Sequence, residues 1–151
     1  MVKILLAALA AALVSPGSAM AEVDNYDNVF PTGKIVPVAG TAYDFQAPKG
    51  KPLANQFLDD NFSNFSTKVP PYVVTVIDPA AKYGIKLEGL TPNVKSIQVY
   101  APPAKNFIAI EHQTNLADPF GKEWGNRDTG MTTLAPGQST QWHVRLSVFV
   151  P

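Results

Sequence analysis

Asn106-Phe-Ile-Ala-Ile-Glu-His-Gln-Thr-Asn115 is the most informative stretch of the 151-residue chain. Residues 107–110, rich in β-branched and aromatic side chains, predict a buried strand with a carboxylate, Glu111, at its end. Acidic residues are depleted from strands and from interiors, so two explanations stay open. Either the strand has reached solvent, or Glu111 is a general base, partly buried at the mouth of a sheet. Residues 115–124 predict a loop, and loops beside a rigid strand often carry binding function.

Length and composition predict one all-β domain. A chain of 151 residues, 46% of them hydrophobic, is long enough to build its own core. Fourteen prolines and ten glycines favour an antiparallel fold rich in turns. The 12 basic and 12 acidic residues balance, so the basic patch of a nucleic-acid-binding protein is missing and we expect no nucleic-acid partner.

The first 21 residues have the layout of a secretory signal peptide. Lys3 gives a positive start, residues 4–14 are apolar, and Ala19-Met-Ala21 has the spacing of a cleavage site. An uncleaved anchor helix is the alternative, although the apolar run is too short to span a bilayer. We therefore expect cleavage after Ala21 and a mature domain of residues 22–151 that is exported, periplasmic or extracellular, without membrane contact. The chain has no cysteine and hence no disulfide.

Residue alternation predicts the strands that follow. Residues 22–29 are polar and predict a flexible segment, whereas residues 72–77 and 85–90 predict a hairpin. Within residues 95–100, Gln98 is expected on the face opposite to that of its apolar neighbours. Residues 139–150 predict a last strand with four side chains pointing inward: Trp142, Val144, Leu146 and Val148.

Adjacent polar residues are separated by the same alternation. Asp59 and Asp60 follow one another, so on an extended backbone one can face a ligand while the other meets solvent. A solvated turn is the alternative for this pair. Glu111 and His112 are likewise expected on opposite faces of their strand. His143 is expected at the surface.

Several motifs in a fixed order resemble one enzyme family. These are Pro31-Thr-Gly33, Gly40-Thr-Ala-Tyr-Asp-Phe45, Ile110-Glu-His-Gln-Thr-Asn-Leu-Ala-Asp118 and Leu134-Ala-Pro-Gly-Gln138. Together they resemble the C-terminal half of the aldose 1-epimerase (galactose mutarotase) family. The resemblance implies an antiparallel β-sandwich of the galactose-mutarotase-like type, incomplete here. It also implies interconversion of the α and β anomers of free hexoses such as glucose and galactose, with no metal or organic cofactor.

The resemblance also implies roles for individual residues. Glu111 falls on the family's catalytic base, and Asp59 and Gln98 fall on residues that bind sugar hydroxyls, with Asp60 as the fallback for Asp59. An amide both donates and accepts hydrogen bonds, which suits a hydroxyl ligand. Asp44 falls in a family motif, but a turn cap or a hydrogen bond at a strand end is the preferred role.

The family's acid histidine belongs to a first half that the resemblance does not cover. Neither His112 nor His143 stands in its position. Three possibilities therefore stay open: an exported isomerase, a carbohydrate-binding protein without catalysis, and a remnant of a broken gene. An apolar face left open by an incomplete sandwich would favour a homodimer that covers it.

Overall fold

The protein is described by a computed structural model that covers residues 2–5, 12–14, 22–27, 30–46, 50–65 and 69–151. Its strands are paired antiparallel in these ranges. Eleven strands are present in these ranges: β1 (Val2–Leu5), β2 (Ala12–Val14), β3 (Glu22–Asp27), β4 (Phe30–Pro37), β5 (Lys51–Pro52), β6 (Leu58–Ser63), β7 (Tyr72–Asp78), β8 (Tyr83–Gly89), β9 (Ser96–Ala101), β10 (Phe107–Gln113) and β11 (Val144–Phe149). A short 3₁₀ turn, Lys122–Trp124, is the one helical element of the described residues. The predicted all-β class is confirmed.

The strands form two sheets that pack as a β-sandwich. The first sheet has the order β1-β10-β9-β6-β3-β4, and the second has the order β11-β8-β7-β2-β5. One apolar core lies between them, with fully buried side chains from both sheets: Leu58, Phe62, Ile97, Ile108 and Ile110 from the first, Val74 and Leu87 from the second. Inward-facing apolar side chains that alternate with polar ones are the usual source of stability in this architecture.

The central strands agree with the sequence. β7 and β8 form the predicted hairpin. β10 continues past Glu111 to Gln113, so Glu111 stands inside the strand and not at its end. The flexible segment predicted for residues 22–29 is wrong for residues 22–27, because these form β3 between β4 and β6.

The last strand corrects a second prediction. Leu146 pairs with the fully buried Leu87, so its side chain leaves the sheet on the core side as expected. It is nevertheless 48% exposed, and Trp142, Val144 and Val148 are exposed as well. β11 is the outermost strand of its sheet, where these side chains stay exposed. The predicted strand 139–150 is also shorter, at residues 144–149.

The predicted signal peptide falls for the most part outside the described residues, and so does its cleavage site after Ala21. Of its residues, β1 pairs with β10, and β2 lies between β5 and β7. The signal peptide stays a prediction. Within the described residues, no helix has the length and apolar character that a membrane crossing needs.

Candidate functional site

A row of polar side chains crosses the outer face of the first sheet. Gln98 on β9 is in register with Asn61 on β6 and with Glu111 on β10. Directly opposite residues in an antiparallel pair point to the same side. The three side chains therefore share the face that looks away from the core, where Ile97, Val99 and Ile110 point the other way.

Hydrogen bonds fix the amides of this row. Gln98 donates from Nε2 to Asp59 Oδ1 over 3.0 Å. Asn61 donates from Nδ2 to Gln98 Oε1 over 3.2 Å and to Gln113 Oε1 over 3.1 Å. Asn61 and Gln113 were not predicted as site residues, but each stands two positions from one that was, Asp59 or Glu111. The period of a strand could have found them.

Asp59 is the member of the aspartate pair that joins this face. Asp60 leaves β6 on the other side, is 9% exposed, and accepts hydrogen bonds from the Asp59 backbone N–H (3.1 Å) and the Tyr43 hydroxyl. Burial, the largest cause, raises the pKa of Asp60, and the Asp59 charge adds to this. The fallback assignment to Asp60 therefore has no support from the geometry.

Glu111 is half-buried, and a cavity of about 470 Å³ beside it extends to the core side of β10, where Leu87, Ile110 and His112 line it. The cavity follows β10 from Ile110 toward Asn115, where β1 no longer pairs with it. Trp142 and Val144 line the opposite wall. No described residue donates a hydrogen bond to the Glu111 carboxylate.

The two histidines lie away from the polar row. His112 is 8% exposed on the core side of β10, and its Nε2 is 2.9 Å from the carbonyl oxygen of Tyr72. Burial, the largest cause, lowers the pKa of His112, while the bond to Tyr72 works in the opposite direction. His143 is exposed, as predicted. The described residues contain no group of three or more histidine, aspartate or glutamate side chains that could hold a metal ion.

The loop after β10, residues 114–130, closes on itself and reaches the far edge of the sheet. Leu116 N–H donates to Thr129 O over 2.9 Å, and Trp124 Nε1 donates to Ala117 O over 3.0 Å. The 3₁₀ turn of this loop contacts β4, where the Glu123 backbone lies so close to Gly33 that a side chain there would collide with it. The loop therefore spans the sheet from β10 to β4.

Asp24 is a buried carboxyl group under this loop. It is 3% exposed, and neither of its carboxylate oxygens has a hydrogen-bond partner among the described residues. Burial, the largest cause, raises its pKa to about 7, while Arg127 in the loop lowers it and Asp60 raises it. Glu22 pairs with Ser63, so alternation puts Asp24 on the same face as Asn61. Sequence reasoning missed this group, because a polar segment does not have the pattern of a buried strand.

Asp44 has the predicted turn role. It accepts hydrogen bonds from the backbone N–H groups of Gly40 (3.0 Å) and Gln46 (3.1 Å). These two bonds, the former the larger cause, lower the pKa of Asp44.

The described structure is thus a β-sandwich with a carboxylate and amides aligned on the outer face of one sheet. The family model of aldose 1-epimerase matches residues 13–147, and the chain belongs to this family. Membership gives the protein an aldose epimerase-like, sugar-related function and explains the galactose-mutarotase-like sandwich. A comparison with curated proteins finds no match.

Proposed function

We propose that the polar row binds a free hexose of the glucose or galactose class and that Glu111 acts as the general base. The single observation that carries the proposal is the register of Asn61, Gln98 and Glu111, which aligns two amides and a carboxylate on one face. Sugar hydroxyls need partners that donate and accept, and amides provide both.

In the proposed reaction, Glu111 takes the proton of the anomeric hydroxyl. The ring opens as the bond between the anomeric carbon and the ring oxygen breaks, and an acid protonates that oxygen. Rotation of the aldehyde and closure give either anomer. Asp59 and Gln98 hold the hydroxyls of the sugar during these steps. A positioned base contributes roughly 10²- to 10⁴-fold to such a rate.

A second candidate, carbohydrate binding without catalysis, is favoured by the histidines. The chain has two of them, and neither shares the face of Glu111: His112 points into the core, and His143 is exposed before β11. On the face of Glu111, protonation of the ring oxygen therefore lacks the acid histidine that the resemblance implies. Loss of one member of an acid–base pair costs orders of magnitude in rate.

The test is anomer exchange of α-glucose and α-galactose with the purified full chain, followed by polarimetry or NMR. We expect a rate above the spontaneous one that Glu111→Gln abolishes while sugar binding persists. Asp44→Asn is the control, because it removes a carboxylate from a surface turn. Equal rates for Glu111→Gln and the parent contradict the role of Glu111.

Binding of the sugars without acceleration, weakened by Gln98→Ala, supports the second candidate. If a folded sample neither accelerates anomer exchange nor binds the sugars, both candidates are contradicted.

We also propose export, supported by the apolar run and the Ala-x-Ala pattern before residue 22. N-terminal sequencing of the protein from an exporting host tests this. We expect the mature chain to begin at Glu22, and an intact N-terminus contradicts the proposal. Cleavage would remove β1 and β2, which makes the comparison with the full chain informative about the fold as well.

A further inference from the structure

An exposed apolar stripe follows the outermost strand of the second sheet. Its five residues alternate along the chain, three of them within β11 and one beyond each end: Trp142 is 51% exposed, Val144 40%, Leu146 48%, Val148 66% and Val150 83%. Soluble monomers rarely expose contiguous apolar surface of this kind, and where it occurs it often marks an interaction site.

The backbone edge of β11 is open as well. β11 pairs with β8 on one side, and no strand of the described residues pairs with its other side. Proteins normally blunt such an edge with a proline, a bulge or inward-pointing charges. β11 has no proline and pairs with β8 without a bulge. Its one charged residue, Arg145, points away from the stripe and lies 3.7 Å from Glu88.

We propose that this edge is a homodimer interface, in which β11 pairs antiparallel with β11 of a second copy about a two-fold axis at Leu146. In this register Leu146 lies opposite its own equivalent, Val144 lies opposite Val148 of the second copy, and Trp142 lies opposite Val150. Every residue of the stripe then has an apolar partner. Cross-strand pairs of this kind stabilise a sheet, and such a self-complementary patch is what a two-fold dimer requires.

Among the registers that keep apolar side chains opposite one another, only the one with its axis at Leu146 pairs all five residues of the stripe. A slip by one residue would set the apolar side of one strand against the polar side of the other. An axis at Arg145 would bring two guanidinium groups directly opposite each other, which is destabilising. With the axis at Leu146, Arg145 lies opposite Ser147, and the stripe, which is centred on Leu146, is matched over its whole length.

The interface borders the cavity between β10 and β11. Trp142 and Val144 belong both to the stripe and to the wall of the cavity beside Glu111. The second copy therefore docks at the rim of that cavity. The interface stands independently of the sugar chemistry, since it rests on β11 alone.

The test measures the mass of the full chain in solution by sedimentation velocity. We expect a dimer for the parent and monomers for Leu146→Lys and for Leu146→Glu, because residue 146 meets itself and like charges would be opposed. An equimolar mixture of the two variants should restore the dimer, since lysine then meets glutamate. Phe120→Lys is the matched control: Phe120 is 81% exposed, lies in the loop after β10, and should leave the dimer intact.

A cysteine cross-link gives a second readout. The chain has no cysteine, so Leu146→Cys introduces a single thiol. Directly opposite Cα atoms of an antiparallel pair are about 4.5–5.5 Å apart, within the range of a disulfide. We expect Leu146→Cys, but not Phe120→Cys, to form a covalent dimer on mild oxidation.

Three results overturn the proposal: a monomeric parent, a dimer that both charge variants retain, or a mixture of folded variants that stays monomeric. If the charge variants do not fold, the cysteine variant decides. Absence of its cross-link in a dimeric sample also overturns the proposal.

Discussion

Replacing the buried carboxyl of Asp24 by an amide should change how stability depends on pH. Asp24 is 3% exposed and has no hydrogen-bond partner among the described residues, and its pKa rises from 3.8 to about 7 on folding. Burial dominates this rise, because a carboxylate loses hydration under the loop. The folded protein therefore holds the proton more tightly than the unfolded chain does.

The sign and the size follow from this difference. Below about pH 4 both states are protonated, and the contribution of Asp24 to stability is fully present. Between pH 4 and pH 7 the unfolded chain releases the proton first, so that contribution is lost as the pH rises. At about 1.4 kcal/mol per pH unit, the loss is at most about 4 kcal/mol. Relaxation and water penetration around the carboxylate reduce the desolvation penalty that causes this loss, and we expect about 2 kcal/mol.

Chemical denaturation of the parent and of Asp24→Asn from pH 4 to pH 7.5 measures this loss of stability. The free energy of unfolding of the parent, relative to the variant, should fall by about 2 kcal/mol across this range and stay level above pH 7. Asp44→Asn is a control, because the pKa of Asp44 is lowered from 3.8, so its contribution is present throughout this range and the difference between the parent and this variant should stay nearly level. Parallel profiles for the parent and Asp24→Asn would refute the reasoning.

Two further substitutions test the loop and the core. Gly33→Ala places a methyl group against the Glu123 backbone at a φ of +76°, so we expect about 2 kcal/mol of destabilisation by denaturant titration and easier proteolysis of residues 114–130. Unchanged stability and proteolysis would mean that the loop does not rest on β4. His112→Gln replaces a buried imidazole whose pKa is lowered. Because the unfolded chain takes up the proton first, the parent loses stability as the pH falls below 6.5, and the variant should lack this part of the loss. If the free energy of unfolding of the variant falls as steeply at low pH as that of the parent, protonation of His112 does not contribute to the loss of stability.

Local sequence was sufficient wherever a strand has one buried face. The alternation of Ile97 and Val99 with Gln98 gave the correct faces of β9, and the same reasoning separated Glu111 from His112. It failed where burial depends on a distant segment. Residues 22–27 are polar, yet they form β3, since β4 and β6 provide their backbone partners.

The last strand, β11, also shows that local sequence does not determine burial. The inward direction of Leu146 follows from the pattern, but its exposure depends on how far the opposite sheet extends. No pattern within β11 contains that information. The network of Asn61 and Gln113 was missed for a related reason, because their contact joins β6 to β10 across an intervening strand.

The polar row is ordered by a directional sequence of hydrogen bonds. Asp59 can only accept while ionised, so Gln98 must turn its NH₂ group toward it and its oxygen toward Asn61. Asn61 in turn uses both N–H donors, one on Gln98 and one on Gln113. The charge on Asp59 thus sets the orientation of three amides, while Glu111 stands beside them without a donor from any described residue. In the reaction proposed for this site, a sugar hydroxyl would reach Glu111 without displacing a bond within the network.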